Sequence, residues 1–179
     1  MIRESLDAGS KFAAVYITPG NGCRFQARAT TDGAATSDTA VATPEQIAIT
    51  APYWVSIERA ASGSIRGYYS SDGAHWQPML WNPQSVPMAS DVYIGQALTS
   101  HSSGVACEAK FSNVRTTGTV GAEWANQDIG IAGNTAEPLY VSVSNSPEAN
   151  GSSLIVAHDD PEAATIDTWT EWIIPLRTF

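Results

Sequence analysis

The chain is poor in lysine, poor in charge and without a long apolar run. Lys11 and Lys110 are its lysines, charged residues make up 15 % of the 179, and the net charge is −9. Because nucleic acids and anionic membranes attract basic surfaces, neither is an expected partner. No apolar stretch approaches the roughly 18 residues of a membrane-spanning helix, so membrane insertion is not expected. The N-terminal residues, MIRESLDAGSK, show no signal peptide.

The motifs of common catalytic and metal sites are missing as well. His75, His101 and His158 are far apart, with no cysteine or aspartate at metal-ligand spacing, so no metal site is predicted. The chain contains neither the Gly-x-Ser-x-Gly sequence of a nucleophilic serine nor a phosphate-binding loop. We therefore expect a protein without catalytic activity and without a cofactor.

Sustained helical periodicity is also absent, and the best helix candidate is the short Pro44-Glu45-Gln46 turn. Short segments of alternating apolar and polar residues recur instead, separated by clusters of Gly, Pro, Asn and Ser. With 43 % apolar residues, the chain has enough material for a core. The pattern predicts an all-β fold, a two-sheet antiparallel sandwich with a C-terminal β extension.

The clearest fold signal is the stretch PYWVSIERAASGSIRGYYSSDGAHW at 52–76. Apolar and polar residues alternate, stop at Gly63 and then alternate again, which is typical of two antiparallel strands. Asp72 and Gly73 supply residues that tolerate the positive φ of a tight turn. Trp76 follows three residues later, where its ring is expected to cover the hairpin.

The two cysteines, Cys23 and Cys107, occupy similar positions in predicted strands. Cys23 shares a strand face with Phe25, and Cys107 shares one with Phe111. They are either two buried free thiols or one disulfide that closes a long loop. The composition is typical of extracellular bacterial β-proteins, and an oxidising compartment favours the Cys23–Cys107 disulfide.

The pattern loosens after residue 115, where the run TTGTV has the character of a linker. We expect one domain over 1–116 and a C-terminal β arm, or partial second module, over 117–179. The arm has predicted strands at Leu139–Ser144, Leu154–Ala157 and Thr168–Leu176. Three strands make a thin core, so the arm should pack against another β structure, in its own chain or in a neighbouring one.

The first 116 residues resemble the concanavalin A-like jelly-roll modules of large secreted proteins of environmental bacteria. The resemblance rests on stretches that occur in the family's order: MIRESLDAGSKFA, ITPGNGCRFQAR, APYWVSIERAASG, GYYSSDGAHW, VYIGQALTSH and CEAKFSNV. It implies a jelly-roll sandwich, found in secreted proteins, with further strands before the first of these stretches. The later segments WANQDIGIAGNTAEPLYVSV and IDTWTEWIIPLRTF are similar to the beginning of a companion β-module.

Two motifs bear on function once this resemblance is stated. Ser70, Asp72, Gly73 and Trp76 are similar to the Asp box, in which the aspartate binds turn amides and the tryptophan packs beneath. Their expected role is structural. Glycosidases on this fold carry Glu-x-Asp-x-x-Glu along one strand, and no such run occurs in the chain, so glycosidase activity is not expected.

Aromatic side chains are candidates for stacking on sugar rings. The candidate ligand-binding residues are Tyr68, Trp81, His101 and Trp172. Core packing is expected for Trp54 and Trp76, whereas Trp81 lies in a proline-flanked loop, where exposure is an alternative to core packing. Trp172 and Trp169 are three residues apart and therefore fall on opposite faces of one strand, so one of them is available.

Two functions remain after these exclusions, and both place the protein outside the cell or at the cell surface. The first is a structural module that associates into a homo-oligomer, filament or surface assembly. A sandwich that lacks strands exposes backbone groups, and strand addition from a partner satisfies them. The second is a carbohydrate-binding adhesion module with glycans as partners. The pattern favours the first, with the C-terminal arm as the strand donor.

Overall fold

The computed structural model of the chain describes residues 1–101 and 107–119, and the strands at 127–129, 142–145, 152–158, 171–173 and 176–177. A 3-10 helix lies at Asp38–Ala40, and one short α-helix, α1, lies at Pro44–Ile47. The strands are β1 (Ile2–Arg3), β2 (Phe12–Thr18), β3 (Gly22–Arg28), β4 (Thr36–Ser37), β5 (Trp54–Arg59), β6 (Ser64–Ser70), β7 (Gln77–Pro78), β8 (Gln84–Ser85), β9 (Tyr93–Ile94), β10 (Ala97–Leu98), β11 (Cys107–Phe111), β12 (Gln127–Ile129), β13 (Ser142–Asn145), β14 (Ser152–His158), β15 (Glu171–Ile173) and β16 (Leu176–Arg177).

The chain forms two compact units. The first consists of Met1–Ser5 and Gly9–Tyr93, and the second of Leu6–Ala8 and Ile94–Phe179. The sequence pattern predicts a different division, between 1–116 and 117–179. The difference arises because β10 and β11, which precede that boundary, take their partner strands from the segment that follows it.

The first unit is a two-sheet antiparallel sandwich. One sheet contains the strands β1–β2–β3–β4 in this order, and the other contains β5–β6, with β7 and β8 both pairing with the opposite side of β6. The core between the sheets is formed by Ala13, Val15, Cys23, Phe25, Ala27, Ile49, Ile65, Met79 and Val86. The predicted all-β sandwich is therefore confirmed, while the jelly-roll topology stays a prediction.

The hairpin of β2 and β3 closes through a short turn that α1 covers. The Thr18 hydroxyl accepts a hydrogen bond from the backbone N–H of Asn21 and donates to the carbonyl of Gly22, both at 3.0 Å. Gly22 has a φ of 72°, and a Cβ there would collide with the backbone carbonyls of Gln46 and Ile47. Only glycine therefore lets α1 pack this closely on the start of β3.

Between β7 and β8, a side-chain amide takes the place of backbone hydrogen bonds to β6. The chain leaves the sheet after Pro78, which lies opposite Tyr68, and returns at Gln84, which lies opposite Ile65 near the start of β6. In this gap the Asn82 side chain accepts a hydrogen bond from the N–H of Gly67 and donates one to its carbonyl, both at 2.7 Å. The amide thus satisfies the N–H of a buried residue, which would otherwise cost stability, and is a second donor to its carbonyl, which also accepts from the N–H of Met79 at 3.0 Å.

Within the first unit, charged side chains fix the segment 86–90 to the end of β5 and to the chain just before β2. Arg59 donates to the carbonyls of three successive residues of this segment at 2.9, 2.7 and 3.2 Å. Lys11 donates to the carbonyl of Pro87 at 2.6 Å and forms an ion pair with Glu4 at 2.7 Å. The end of β5 is therefore anchored, because Arg59 is its last residue.

In the second unit, the strands of the predicted arm pair within their own chain. β15 lies between β10 and β12, and β14 lies between β11 and β13. The β11–β14 register runs from Cys107 opposite His158 to Phe111 opposite Leu154. The structure thus supplies the arm with partner strands in cis.

Candidate functional site

The second sheet of the first unit has an inner and an outer face. The β5–β6 register places Trp54, Ser56 and Glu58 opposite Ser70, Tyr68 and Arg66 on the face that points away from the core. Pro78 lies opposite Tyr68. Trp76 directly precedes β7 and is two residues before Pro78, so extending the strand alternation by one residue places it on the same face. We call Trp54, Tyr68, Trp76 and Pro78 the outer aromatic face.

Tyr68, a predicted ligand-binding residue, lies on this face. Its hydroxyl donates to a carboxylate oxygen of Glu58 at 3.1 Å. Partial burial, followed by the hydrogen bond and charge of Glu58, raises the pKa of Tyr68 above its ordinary value. The phenol therefore stays protonated, and its position beside Glu58 gives the face a polar group next to aromatic rings.

The turn between β6 and β7 has the hydrogen bonding expected of an Asp box. Asp72 accepts from the backbone N–H groups of Ala74 and His75, both at 2.8 Å, and the Ser70 hydroxyl accepts from the N–H of Gly73 at 2.9 Å. The His75 ring also bonds Asp72 at 2.7 Å. These contacts, first the amide and then the ring of His75, hold the pKa of Asp72 well below its usual range, while Asp72 raises the pKa of His75.

The tryptophan that packs under this turn differs from the predicted one. A Cβ added to Gly73 would meet the ring of Trp54 at 2.7–3.0 Å, so Trp54 lies against the turn. Trp76 is 37 % exposed. The expected role of Trp76 in covering the hairpin is corrected, because the cross-strand pairing of Trp54 with Ser70 already places its ring there.

The other predicted ligand-binding residues belong to other parts of the chain. Trp81 packs against the core, and its ring meets that of Phe25 edge-on at a centroid distance of 5.2 Å. Of the two alternatives for Trp81, exposure and core packing, the structure shows core packing. His101 is exposed, and it belongs to the second unit, as does Trp172 in β15.

The predicted disulfide between Cys23 and Cys107 is not formed, and both residues are free thiols. Cys23 lies in the core of the first unit with 0 % of its surface exposed, and Cys107 is half-buried in β11 of the second. Burial raises the pKa of Cys23 to about 12 and also raises that of Cys107. Both thiols are therefore poor nucleophiles at neutral pH.

A buried polar cluster joins β3 to the segment before β5. Asp38 is 1 % exposed, and its carboxylate accepts from the side chain of Gln46, which also donates to the carbonyl of Cys23 at 2.9 Å. The Arg24 guanidinium lies 3.7 Å from the other carboxylate oxygen. Burial is the main cause of the raised pKa of Asp38. Sequence reasoning missed this cluster, since its members are distant in sequence and carry no motif.

The open side of β5 was also missed. Among the strands that the structure assigns, β5 pairs only with β6, so the backbone groups of its other side have no partner strand. The pairing is continuous from Trp54 to Arg59, without a bulge. Val55 is 39 % exposed there. A flat edge of this kind is a template for a further strand.

Other site types find no support in the described part of the chain. It contains no cluster of three or more His, Cys, Asp or Glu side chains that would hold a metal ion. None of its helices has the length and apolar content needed to cross a membrane. Comparison of the chain with protein-family models, with curated proteins and with solved structures gives no match. The concanavalin A-like resemblance therefore rests on the sequence alone.

Proposed function

We propose that this protein is a non-catalytic extracellular structural module that associates with itself by adding a strand to the open edge of β5. The observation that carries the proposal is the unpaired side of β5 among the strands assigned in the structure. Each backbone N–H and C=O on that side gains a hydrogen bond when another strand pairs there.

Natural proteins protect such edges with charged side chains, above all lysine, with proline, with bulges or with a covering segment. β5 has the sequence WVSIER, which contains neither proline nor lysine, and its pairing shows no bulge. Its Arg59 side chain is already bound to the carbonyls of segment 86–90. Between Trp54 and Ile57 the edge therefore carries no charge, proline or bulge, and Val55 offers apolar surface to a partner there, whereas the charges of β5 lie at its end.

The experiment is sedimentation velocity of the full chain over a wide range of concentration, with electron microscopy of the most concentrated sample. The average mass should rise with concentration, and Val55→Lys, which places a charge on the edge, should keep the protein monomeric. Val41→Lys is the matched control, because Val41 is 41 % exposed and lies outside β5. Wild-type protein that stays monomeric at every concentration would overturn the proposal.

A second candidate function is carbohydrate binding, which the outer aromatic face favours. Exposed Trp76 and the Tyr68–Glu58 pair combine a stacking surface with polar groups. On a glycan array, Trp76→Ala should lower binding roughly tenfold if its ring stacks on a sugar. Leu80→Ala removes a more exposed apolar side chain, 66 % exposed, and should leave binding unchanged. An array without any sugar-specific signal removes this candidate.

A further inference from the structure

We infer that the strand added to β5 is the β5 of a second copy, paired antiparallel so that Ser56 faces Ser56 across a twofold axis. The inference rests on the proposed function and names its partner and register. It follows from the face of each β5 side chain, from the charges of the strand and from the number of residues that each register can pair.

The two faces of β5 restrict how two copies of the strand can be aligned, because only every second alignment keeps inner-face residues opposite inner-face residues. Residues directly opposite each other in an antiparallel pair point to the same side of the sheet. Val55 and Ile57 share the inner face of β5, whereas Ser56 and Glu58 share the outer one. A sheet that continues through two copies must set inner residues against inner ones, because a shift by one residue would turn apolar side chains outward.

Two of the allowed registers pair five residues of β5 with five of its copy. With Ser56 on the axis, Val55 faces Ile57 and Trp54 faces Glu58, so the exposed Val55 meets an apolar partner. With Ile57 on the axis, Val55 would face Arg59, whose guanidinium is held by the carbonyls of segment 86–90. The first register therefore covers more apolar surface and disturbs no existing hydrogen bond.

Charge supports the same register. The net charge of −9 makes copies repel, so they can meet only where acidic groups stay apart. A register with Glu58 on the twofold axis would place the Glu58 side chains of the two copies directly against each other. In the Ser56-centred register the two Glu58 positions are offset by four residues, about 13 Å along the strand. That separation exceeds the screening length of about 8 Å at physiological salt.

The symmetry has a consequence for assembly. A twofold contact uses the same strand of both copies, so it closes a dimer and leaves neither β5 edge open. Growth into a filament then requires a second, different contact, and the dimer is the unit that is added. Val55→Lys should therefore abolish both the dimer and any larger assembly.

The test is cysteine cross-linking in the full chain carrying Cys107→Ser, which leaves Cys23 enclosed in the core. Facing Ser56 positions would have Cα atoms about 5 Å apart, within disulfide range, so Ser56→Cys should give a covalent dimer under mild oxidation. Glu58→Cys is the matched control, since it lies on the same face and strand but about 13 Å from its counterpart, and should stay monomeric on non-reducing mass analysis.

The outcomes distinguish a failure of the β5–β5 pairing from a failure of the proposed self-association. If the Ser56→Cys protein associates in sedimentation but forms no covalent dimer, the β5–β5 pairing is overturned and the proposed function stands. A Glu58→Cys dimer as abundant as that of Ser56→Cys overturns the register. If wild-type protein does not associate at all, the proposed function falls, and the inference falls with it.

Discussion

β3 and β5 belong to the same sandwich and differ in what flanks them. β3 pairs with β2 along its whole length and with β4 on its other side, and α1 packs on its first residue. β5 pairs with β6 alone among the assigned strands. Cys23, Phe25 and Ala27 of β3 are accordingly at most 4 % exposed, whereas Val55 of β5 is 39 % exposed.

This difference separates stability from association within one unit. Changes at β3 and around the middle of β6 should lower the free energy of unfolding, because they disturb the core or leave buried polar groups without partners. Changes on the open side of β5 should leave that free energy almost unaltered and change the oligomeric state. The following predictions test this separation, beginning with the largest expected effect.

Gly22→Ala should be the most destabilising change. It combines an unfavourable positive φ with a collision between the new Cβ and the backbone of α1, so we expect a loss of about 3 kcal/mol or more in urea unfolding. Gly20→Ala is the control, because nothing lies within 4 Å of its Cβ position. Equal losses in the two variants would refute the tight packing of α1 on β3.

Asn82→Ala should cost about 1–3 kcal/mol, because the buried Gly67 N–H loses its acceptor, while the Gly67 carbonyl keeps the hydrogen bond from the N–H of Met79. Asn82→Asp keeps the acceptor for the Gly67 N–H but loses the donor to its carbonyl. Its stability should therefore recover in acid, where a protonated carboxyl group donates again. Gln77→Ala, an exposed neighbour, serves as control. Equal stabilities of Asn82→Ala and Gln77→Ala in urea unfolding would show that the hydrogen bonds between Asn82 and Gly67 do not stabilise the sheet.

Asp38 and Glu4 should give opposite pH dependences of stability. Burial raises the pKa of Asp38 above 3.8, so the native state binds its proton more readily, and this contribution to stability decreases as the pH rises through that window. The hydrogen bond from Lys11 lowers the pKa of Glu4 below 4.5, so its contribution is present above that value and lost as the pH falls.

The measurement is the unfolding free energy of wild type, Asp38→Asn and Glu4→Gln from acidic to neutral pH. The wild type should lose stability relative to Asp38→Asn as the pH rises, and relative to Glu4→Gln as the pH falls. Parallel curves for wild type and Asp38→Asn would show that the buried carboxyl group does not titrate differently in the folded and unfolded states.

Asp72→Ala should have the smallest effect, a modest fall in melting temperature without a change in association. The amides of Ala74 and His75 lose their acceptor but are exposed to water. Asp72→Asn retains an acceptor oxygen and should melt closer to wild type. A change in sugar binding or in mass at an unchanged melting temperature would contradict the structural role.

Local alternation was sufficient to predict the strands whose inner face is covered. The alternation of β3 and β6 follows directly from burial of every second residue, and the turn residues between strands have conformational preferences of their own. The edge character of β5 was not predictable in the same way. It depends on which strand lies beside it, and that is a property of the whole sheet.

The tryptophans illustrate the same limit. Prolines near Trp81 left exposure and core packing both open, and the Asn82 amide binds Gly67 and brings its neighbour Trp81 against Phe25. Trp76 follows the turn at the expected spacing, yet the place under the turn is taken by Trp54 from another strand. Long-range packing decided both positions, and spacing along the chain does not encode it.

The position of Asn82 before a proline also affects the susceptibility of its amide to deamidation. Asparagine deamidates chiefly when the next backbone nitrogen attacks the side-chain carbonyl, and that attack requires an N–H. Asn82 precedes Pro83, which has none, so the amide that completes the sheet is protected from this route. Asn21 precedes Gly22, the least hindered successor, and its hydrogen bond to Thr18 uses only the backbone. Deamidation in the first unit should therefore occur first at Asn21 in the β2–β3 turn and should spare Asn82 in the β5–β6 sheet.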